Sequence, residues 1–530
     1  MTSSIVFIHP PVVRPCEPPA GIAKLAGALS QHGSKPLVVD ANVEGLLGFL
    51  QTPISPQDTW TRRACRHLSN HLASLRSWKG YRRHDDYTRA VQDVNRVVQV
   101  AAQARGVQLS LGNYQDKELS PTKSQDLIRA AEKPEASPFY PYFRDRLREL
   151  LEKEQPSIAG LSLNYLTQAL TTFAIIGFLR REYPRLMCFL GGGLVTSWMR
   201  RPGWTNPFGG WIDHLVAGPG ERTLLSLMGI DGGKGEGHPG EPSGPCYDSF
   251  PLESYLAPGL ILPYSASSGC YWSQCAFCPE RAEGNPYVPT PPEKVITDLR
   301  LLADRHKPVL IHLVDNAVSP ALMKKLAESP PQIPWYGFTR ITRHLSDFDF
   351  CLALRKSGCV MLKLGLESGD QGVLDALQKG VDLGVASSVL KSLKRAGIAT
   401  YVYLLFGTPP ESLEEARATL GFVAKHHDLI DFLNVAIFNL PVYGPETARL
   451  ETKTFYEGDL SLYVDFDHPR GWSRKLVRQF LDKEFKRHPA IAAILRRDPP
   501  VFTSNHAPFF VMAREKDPDQ RFDSESLRTC

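Results

Sequence analysis

The residues best suited to chemistry are Cys270, Cys275 and Cys278, separated by Tyr271-Trp272-Ser273-Gln274 and by Ala276-Phe277. Thiolates are soft ligands, suited to zinc and to iron–sulfur clusters. A cubane cluster takes one ligand per iron, so three thiols leave its fourth iron open to a small molecule. Structural zinc takes four protein ligands. The nearest candidates for a fourth, Cys246, His306 and His312, have neither finger nor ribbon spacing. Chance clustering of buried thiols is the third reading. The other seven of the ten cysteines are scattered along the chain, as reduced and inert buried thiols usually are.

These thiols need a scaffold, and the apolar runs supply one. The cysteine stretch follows a run at 262–267, and further runs lie at 309–314, 335–339, 361–366, 400–405 and 432–438. Helical periodicity separates most of them, as at 292–306 and 384–396. Six strands alternating with helices over 258–450 predict a partial (βα)6 barrel, smaller than the eight-unit TIM form.

A second βα series precedes it. Residues 5–8 are apolar, and a loop through His9-Pro10-Pro11 leads to Gly21. Ile22, Leu25, Ala26 and Leu29 recur at helical spacing up to Gly33, and 37–40 is the next strand. Further strands are expected at 158–163, at 186–190 before Gly191-Gly192-Gly193, and at 214–217 before Gly218-Pro219-Gly220-Glu221. The fold class is thus α/β. Residues 1–229 form a doubly wound, Rossmann-like domain with a helical insertion at about 47–135, and its ligand belongs at the carboxyl ends of the strands. The Gly/Pro-rich stretch within 230–257 reads as a linker, and 451–530 as a small helical C-terminal segment with helices at 473–487 and 489–497.

Together these features resemble the radical S-adenosylmethionine (SAM) superfamily, in the group that carries an N-terminal cobalamin-binding domain. Phe277 matches the aromatic residue before the last cysteine. The first gap departs from the usual pattern, with four residues in place of three. Leu364-Gly365-Leu366-Glu367-Ser368-Gly369 resembles the fourth-strand motif. Phe406-Gly407-Thr408-Pro409-Pro410-Glu411-Ser412 resembles the turn after the fifth strand, with Pro410 in place of a glycine. The resemblance implies a [4Fe–4S] cluster on Cys270, Cys275 and Cys278. It places SAM among Phe277, Asp315, Arg340, Glu367 and Gly407, with Arg340 suited to a carboxylate. The bland alternative is that polar residues at strand ends cap the next helix. Lys379-Gly380 reads as a helix C-terminus.

In the first domain the resemblance places cobalamin and its nucleotide tail against Pro11, Ser162, Asn164, Gly191, Gly192, Gly193, Gly218, Gly220 and Glu221. A dinucleotide site would want Gly-x-Gly-x-x-Gly after the first strand, which is missing. Asp-x-His-x-x-Gly is also missing, so no protein histidine is expected under the cobalt. His9 and Cys16, on the loop facing the lower side of the ring, read as packing.

The implied function is a methyltransferase acting on an unactivated carbon through a 5′-deoxyadenosyl radical and methylcobalamin. A cobalamin-dependent radical rearrangement or cyclisation without methyl transfer is the alternative. A non-catalytic cobalamin or metal sensor is a third. The substrate is a small molecule or peptide, and an external one-electron donor is required. Tyr403, Asn434, Asn439 and Tyr443 either face the substrate or pack the barrel. His506 either closes the site or sits in the core.

Composition excludes other classes. Lys plus Arg is 61, Asp plus Glu is 56 and the net charge is +5 over 530 residues, with no concentrated basic face to recognise nucleic acid. Apolar residues make up 42 % and charged residues 22 %, as in soluble globular proteins. No run of about 18 apolar residues could span a membrane. The first residues show no basic signal-like region, so a cytoplasmic location is expected.

Overall fold

A computed structural model describes residues 4–103, 105–230, 244–455, 457–500 and 506–516. Short, largely apolar runs build its first sheet, buried at its centre and more exposed toward β5: β1 (Ile5–Ile8), β2 (Leu37–Val39), β3 (Ile158–Ser162), β4 (Met187–Gly191) and β5 (His214–Val216). All pairings are parallel, in the order β2-β1-β3-β4-β5. The strand order therefore reverses between β1 and β3, where open α/β sheets open a crevice for ligands.

The second sheet holds β6 (Ile261–Tyr264), β7 (Leu310–Leu313), β8 (Trp335–Arg340), β9 (Cys359–Glu367), β10 (Ala399–Phe406) and β11 (Phe432–Ile437). They pair in parallel in simple sequence order. Side chains alternate across it, as the strand period demands. Trp335, Leu362, Leu364 and Val402 join the outer core beneath the helices. Tyr336, Met361, Tyr401 and Phe432 point into the lumen, where Ala507, Phe510 and Val511 close the floor. The His506 ring packs 4.4 Å from Tyr401 and 4.6 Å from Phe432, a core position rather than a cover over the site.

The expected insertion is mostly helical, with long helices at Thr59–Leu75 and His84–Gln103, and it includes a short hairpin of Gln108–Leu109 and Tyr114–Gln115. Asp93 is buried between the two helices and accepts from Trp60 Nε1 at 2.7 Å, Arg63 at 3.0 Å and His71 at 3.1 Å. Of the expected linker, 231–243 lies outside the described residues. Residues 244–257 are packed: Tyr247 is fully buried and donates to the Pro263 carbonyl, and Tyr255 donates to Asp40 at 2.6 Å.

The C-terminal segment corrects an expectation. Before its helices, Leu440–Pro441, Thr452–Lys453 and Tyr463–Phe466 form a three-stranded antiparallel sheet. Strands of two to four residues are too short to show a period in sequence. The helix from Arg474 passes at Leu481 into a π turn ending at Phe485, and Pro489–Leu495 follows.

Gly177 lets the helix Leu166–Glu182 touch the insertion, since a Cβ there would overlap the Ala131 carbonyl. Gly177→Ala is expected to cost roughly 1–3 kcal/mol through backbone displacement. Gly421→Ala, on a helix where a Cβ meets nothing within 4 Å, is expected to gain about 0.5–1 kcal/mol. Thermal unfolding of both variants beside the parent checks this pair.

Candidate functional site

The carboxyl ends of β6 to β9 converge on one buried polar group. Arg340, the last residue of β8, is 4 % exposed. Its Nη1 donates to Cys275 Sγ at 3.7 Å and its Nη2 to the Lys379 carbonyl. Trp272 covers its guanidinium, 4.0 Å from ring to Cζ. Glu367 ends β9 with φ +68, a left-handed conformation that is rare and strained for a residue with a side chain. A register shift in the β9–β10 ladder accompanies it. Glu367 Oε1 accepts from Lys379 Nζ at 2.8 Å, and Lys379 lies 5.5 Å over the Phe277 ring.

Cys275, Phe277, Arg340 and Glu367, all expected at the site, are thus brought together. Lys379, read from sequence as a helix end, completes the group. Its signal was a lysine twelve residues beyond Glu367, readable only once the fold placed them side by side. Burial raises the Cys275 thiol, while the Lys379 and Arg340 charges oppose that rise. Burial pushes Cys278 up to about 11.

Other expected residues serve the loops. Asp315 accepts from Ser267 Oγ at 2.5 Å and from the Ala266 amide at 3.1 Å, so it fixes the strand that enters the cysteine loop. Burial raises its carboxyl. Gly407, at φ +79, donates its amide to Glu411, which also accepts from Trp472 Nε1 at 3.0 Å. The turn after β10 is closed by its own glutamate, whose carboxyl burial lifts to about 7. Asn439 accepts from Arg474 at 2.8 Å. Tyr403 meets Phe338 edge-to-face at 5.2 Å in the lumen.

The cysteine loop also borders the first domain. A cavity of about 650 Å³ lies between the carboxyl edge of the first sheet and this loop. Ser162, Asn164, Gly191, Gly192, Gly193, Gly218, Gly220 and Glu221 line it as expected, and Pro11 does not. Gly192 has φ +113, and a Cβ there would overlap the Leu163 carbonyl. Asn164 accepts from the Gly193 amide at 2.9 Å and donates to Ser162 at 3.0 Å. Lys24 pairs with Glu221 at 3.1 Å at the rim. From the barrel side, Ser265, Ser267, Ser268, Gly269 and Pro279 form the wall. Those barrel-side residues were not anticipated, because only the fold brings them to the first sheet.

Among the described residues no three His, Cys, Asp or Glu side chains converge as a ready-made metal-ligand set. The structure links Cys275 and Cys278 by a turn, the Cys278 amide donating to the Cys275 carbonyl at 3.2 Å, and does not gather Cys270 with them. The donor chemistry still fits an iron–sulfur cluster: three soft thiols on one short loop, with Arg340 and Lys379 favouring the thiolate at Cys275.

Residues 264–423 match the model of the radical SAM superfamily. The chain carries a radical SAM domain. An uncharacterised methyltransferase of Pyrococcus horikoshii is 24 % identical over 316 residues, covering 53 % of this chain and 66 % of that protein. An anaerobic magnesium-protoporphyrin IX monomethyl ester cyclase of Rubrivivax gelatinosus is 24 % identical over 315 residues, covering 52 % and 55 %. The chain thus spans two thirds or less of the curated relatives it matches. The solved structure of TsrM from Kitasatospora setae, a radical SAM methyltransferase with tryptophan substrate and a SAM analogue bound, superposes with a TM-score of 0.55. It is 16 % identical and covers 94 % of this chain and 89 % of its own. A second TsrM structure, with cobalamin and a [4Fe–4S] cluster bound, superposes with a TM-score of 0.51, is 15 % identical and covers 85 % and 75 %. That likeness shows a shared fold. Among the described residues no helix is long and apolar enough to cross a membrane.

Within the radical SAM domain, Lys379 and Glu367 form a buried pair whose separation strands a charge. Lys379→Met is expected to cost about 3–5 kcal/mol. Lys379→Met with Glu367→Gln removes the stranded charge and should recover more than half. Urea unfolding of the two variants measures the difference.

Proposed function

We propose that this protein is a cobalamin-dependent radical SAM enzyme that transfers a methyl group to an unactivated carbon. The observation that carries the reading is the shared wall: Ser267, Ser268, Gly269 and Pro279 line the cavity of the first domain and flank the cysteine loop of the second. Two cofactor sites with a common wall suit a reaction in which both cofactors act on one substrate.

In this reading Cys270, Cys275 and Cys278 hold the [4Fe–4S] cluster, and the 650 Å³ cavity takes part of cobalamin. When bound, the cluster supplies an electron to SAM and cobalamin carries the methyl group. The chain's residues do the rest. Arg340 and Lys379 present cations, and Glu367 an anion, to the charged end of SAM; such charges are strong when buried. The glycines at 191–193 and 218 let backbone approach a bulky ligand without side chains in the way. Packing around the lumen excludes water from a reactive intermediate. An external one-electron donor is needed.

The relative named as a cyclase favours a second reading, a radical rearrangement or ring closure without methyl transfer. Anaerobic reconstitution followed by product analysis separates the two. Methyl transfer should give 5′-deoxyadenosine and S-adenosylhomocysteine together. Deoxyadenosine alone supports the second reading and sinks the first. Cys275→Ala is expected to abolish both products and lower bound iron from about four per chain, the count of a cubane cluster. Retention of full iron in that variant would remove Cys275 from the ligand set.

A further inference from the structure

One layer beneath Arg340 and Glu367, the lumen holds a second buried polar network that the cofactor sites leave unused. Lys363 on β9 is 7 % exposed, and its Nζ lies 3.3 Å from His312 Nε2 on β7. His312 Nδ1 lies 2.9 Å from Glu17, which comes from the loop after β1 in the other domain. The imidazole stacks on Tyr336 at 4.3 Å, and Lys363 sits 5.0 Å over that ring. Burial lowers the pKa of His312, so the ring is neutral at pH 7 and donates from Nδ1 to Glu17 while Nε2 accepts from Lys363. Burial would raise the Glu17 carboxyl, but His312, Lys363 and Arg14 together bring it below its ordinary value.

Just below this network, Leu310, Met361, Phe432 and Val511 close the lumen with apolar side chains. Replacing a buried ion pair by apolar residues is often neutral or stabilising, so such a pair is weak evidence of stability and better evidence of a site. Among the described residues, Lys363 has one hydrogen-bond partner for its three N–H groups. Arg14, half-buried on the same loop as Glu17, makes no ion pair among them either. Two cations and one carboxylate leave one positive charge in excess, which fits a single anionic group.

Toward the cysteine layer the side chains approach closely, with Phe338 and Tyr403 on the wall. Gly365 lies on β9 between Lys363 and Glu367, and a Cβ there would stand 2.8 Å from Glu367 Oε1 and Lys379 Nζ and 3.0 Å from the Phe338 ring. Phe338 and Tyr403 form an aromatic wall beside it. Tyr165, 60 % exposed, lies near Glu17 and Arg14.

We propose that Lys363, held by His312 and Glu17, anchors the carboxylate of the substrate, and that its carbon skeleton lies against Phe338 and Tyr403. The substrate is then an apolar or aromatic carboxylic acid. This rests on the reading of the barrel as a catalytic chamber, but its test does not. The full-length protein is titrated by calorimetry, with and without reconstituted iron, against 3-phenylpropionate and its neutral isostere 3-phenylpropanamide. The carboxylate should bind about tenfold or more tighter. Burial, then the neighbouring Arg14, depresses Lys363 to about 8 against the pull of Glu17 and Cys16. Affinity for the carboxylate should therefore fall as pH rises through about 8. His312 and Tyr336 stay neutral across that range, because burial lowers the first and raises the second. Lys363→Arg should abolish the pH step, and Cys16→Ser should keep it. Lys363→Met should weaken the carboxylate about tenfold and leave the amide unchanged. If that variant does not fold, Arg14→Gln serves instead, with a several-fold loss for the carboxylate alone. Equal binding of acid and amide, or a pH step that survives Lys363→Arg, overturns the proposal. Deoxyadenosine formation without selective carboxylate binding refutes this inference and spares the radical reading. Carboxylate binding without deoxyadenosine does the reverse.

Discussion

Charge inside a barrel lumen has to be answered by other protein groups, because little water reaches it to do so. Two inward layers of this barrel obey that constraint in different ways. In the upper one, Lys379 answers Glu367, and its carbonyl together with Cys275 receives Arg340. In the lower one, Lys363 is linked through the neutral His312 ring to Glu17, 295 residues away from His312 in sequence. The lower layer is therefore complete only when the first domain is seated on the barrel. The packing of the two domains and the electrostatics of the lumen are one problem with one solution.

Strand direction makes that solution possible. Parallel strands deliver all their carboxyl ends to one edge, and loops at that edge are free to carry polar groups. Here the carboxyl edge of the five-stranded sheet and the loop after β6 face the same cavity. Asp315 holds the start of that loop through Ser267 and Ala266, and Glu283, beyond its end, accepts from Ser197 of the first domain at 2.6 Å. The loop is anchored on both sides of its cysteines, once within the barrel and once across the domain boundary.

The strands were legible in the sequence because most are predominantly apolar runs bounded by glycine, proline or charge, as buried parallel strands are. The cysteine loop and the Glu367 motif were legible because their residue types and spacing are local. Lys379, Glu17, His312 and Lys363 were not, since their roles exist only through contacts made by the fold. A trace was present. His312 and Lys363 each interrupt an otherwise apolar strand, Leu310–Leu313 and Cys359–Glu367, at inward positions. A polar residue there must find a partner, though the strand alone cannot say which. Asp315 through its carboxylate and Gly407 through its amide each hold a loop at a strand end.

The cysteine spacing shows how a local departure is absorbed. The first gap has four residues, and the chain turns within it at Ser273, with φ +47 in the left-handed region. That turn lays Trp272 flat on the Arg340 guanidinium and lets its Nε1 donate to the Gln378 carbonyl at 3.1 Å. The ring fits only because residue 380 is glycine, where a Cβ would overlap it; the same glycine takes φ +64. A guanidinium between an aromatic face and a thiol is fixed in place and poorly solvated, so its charge acts on Cys275 with little screening. Burial works against the thiolate at Cys275, and Arg340 and Lys379 work for it. The added residue thus builds an aromatic cover that holds one of those two cations against the thiol it favours, and the spacing of the cysteines and the placement of Arg340 are set by the same turn.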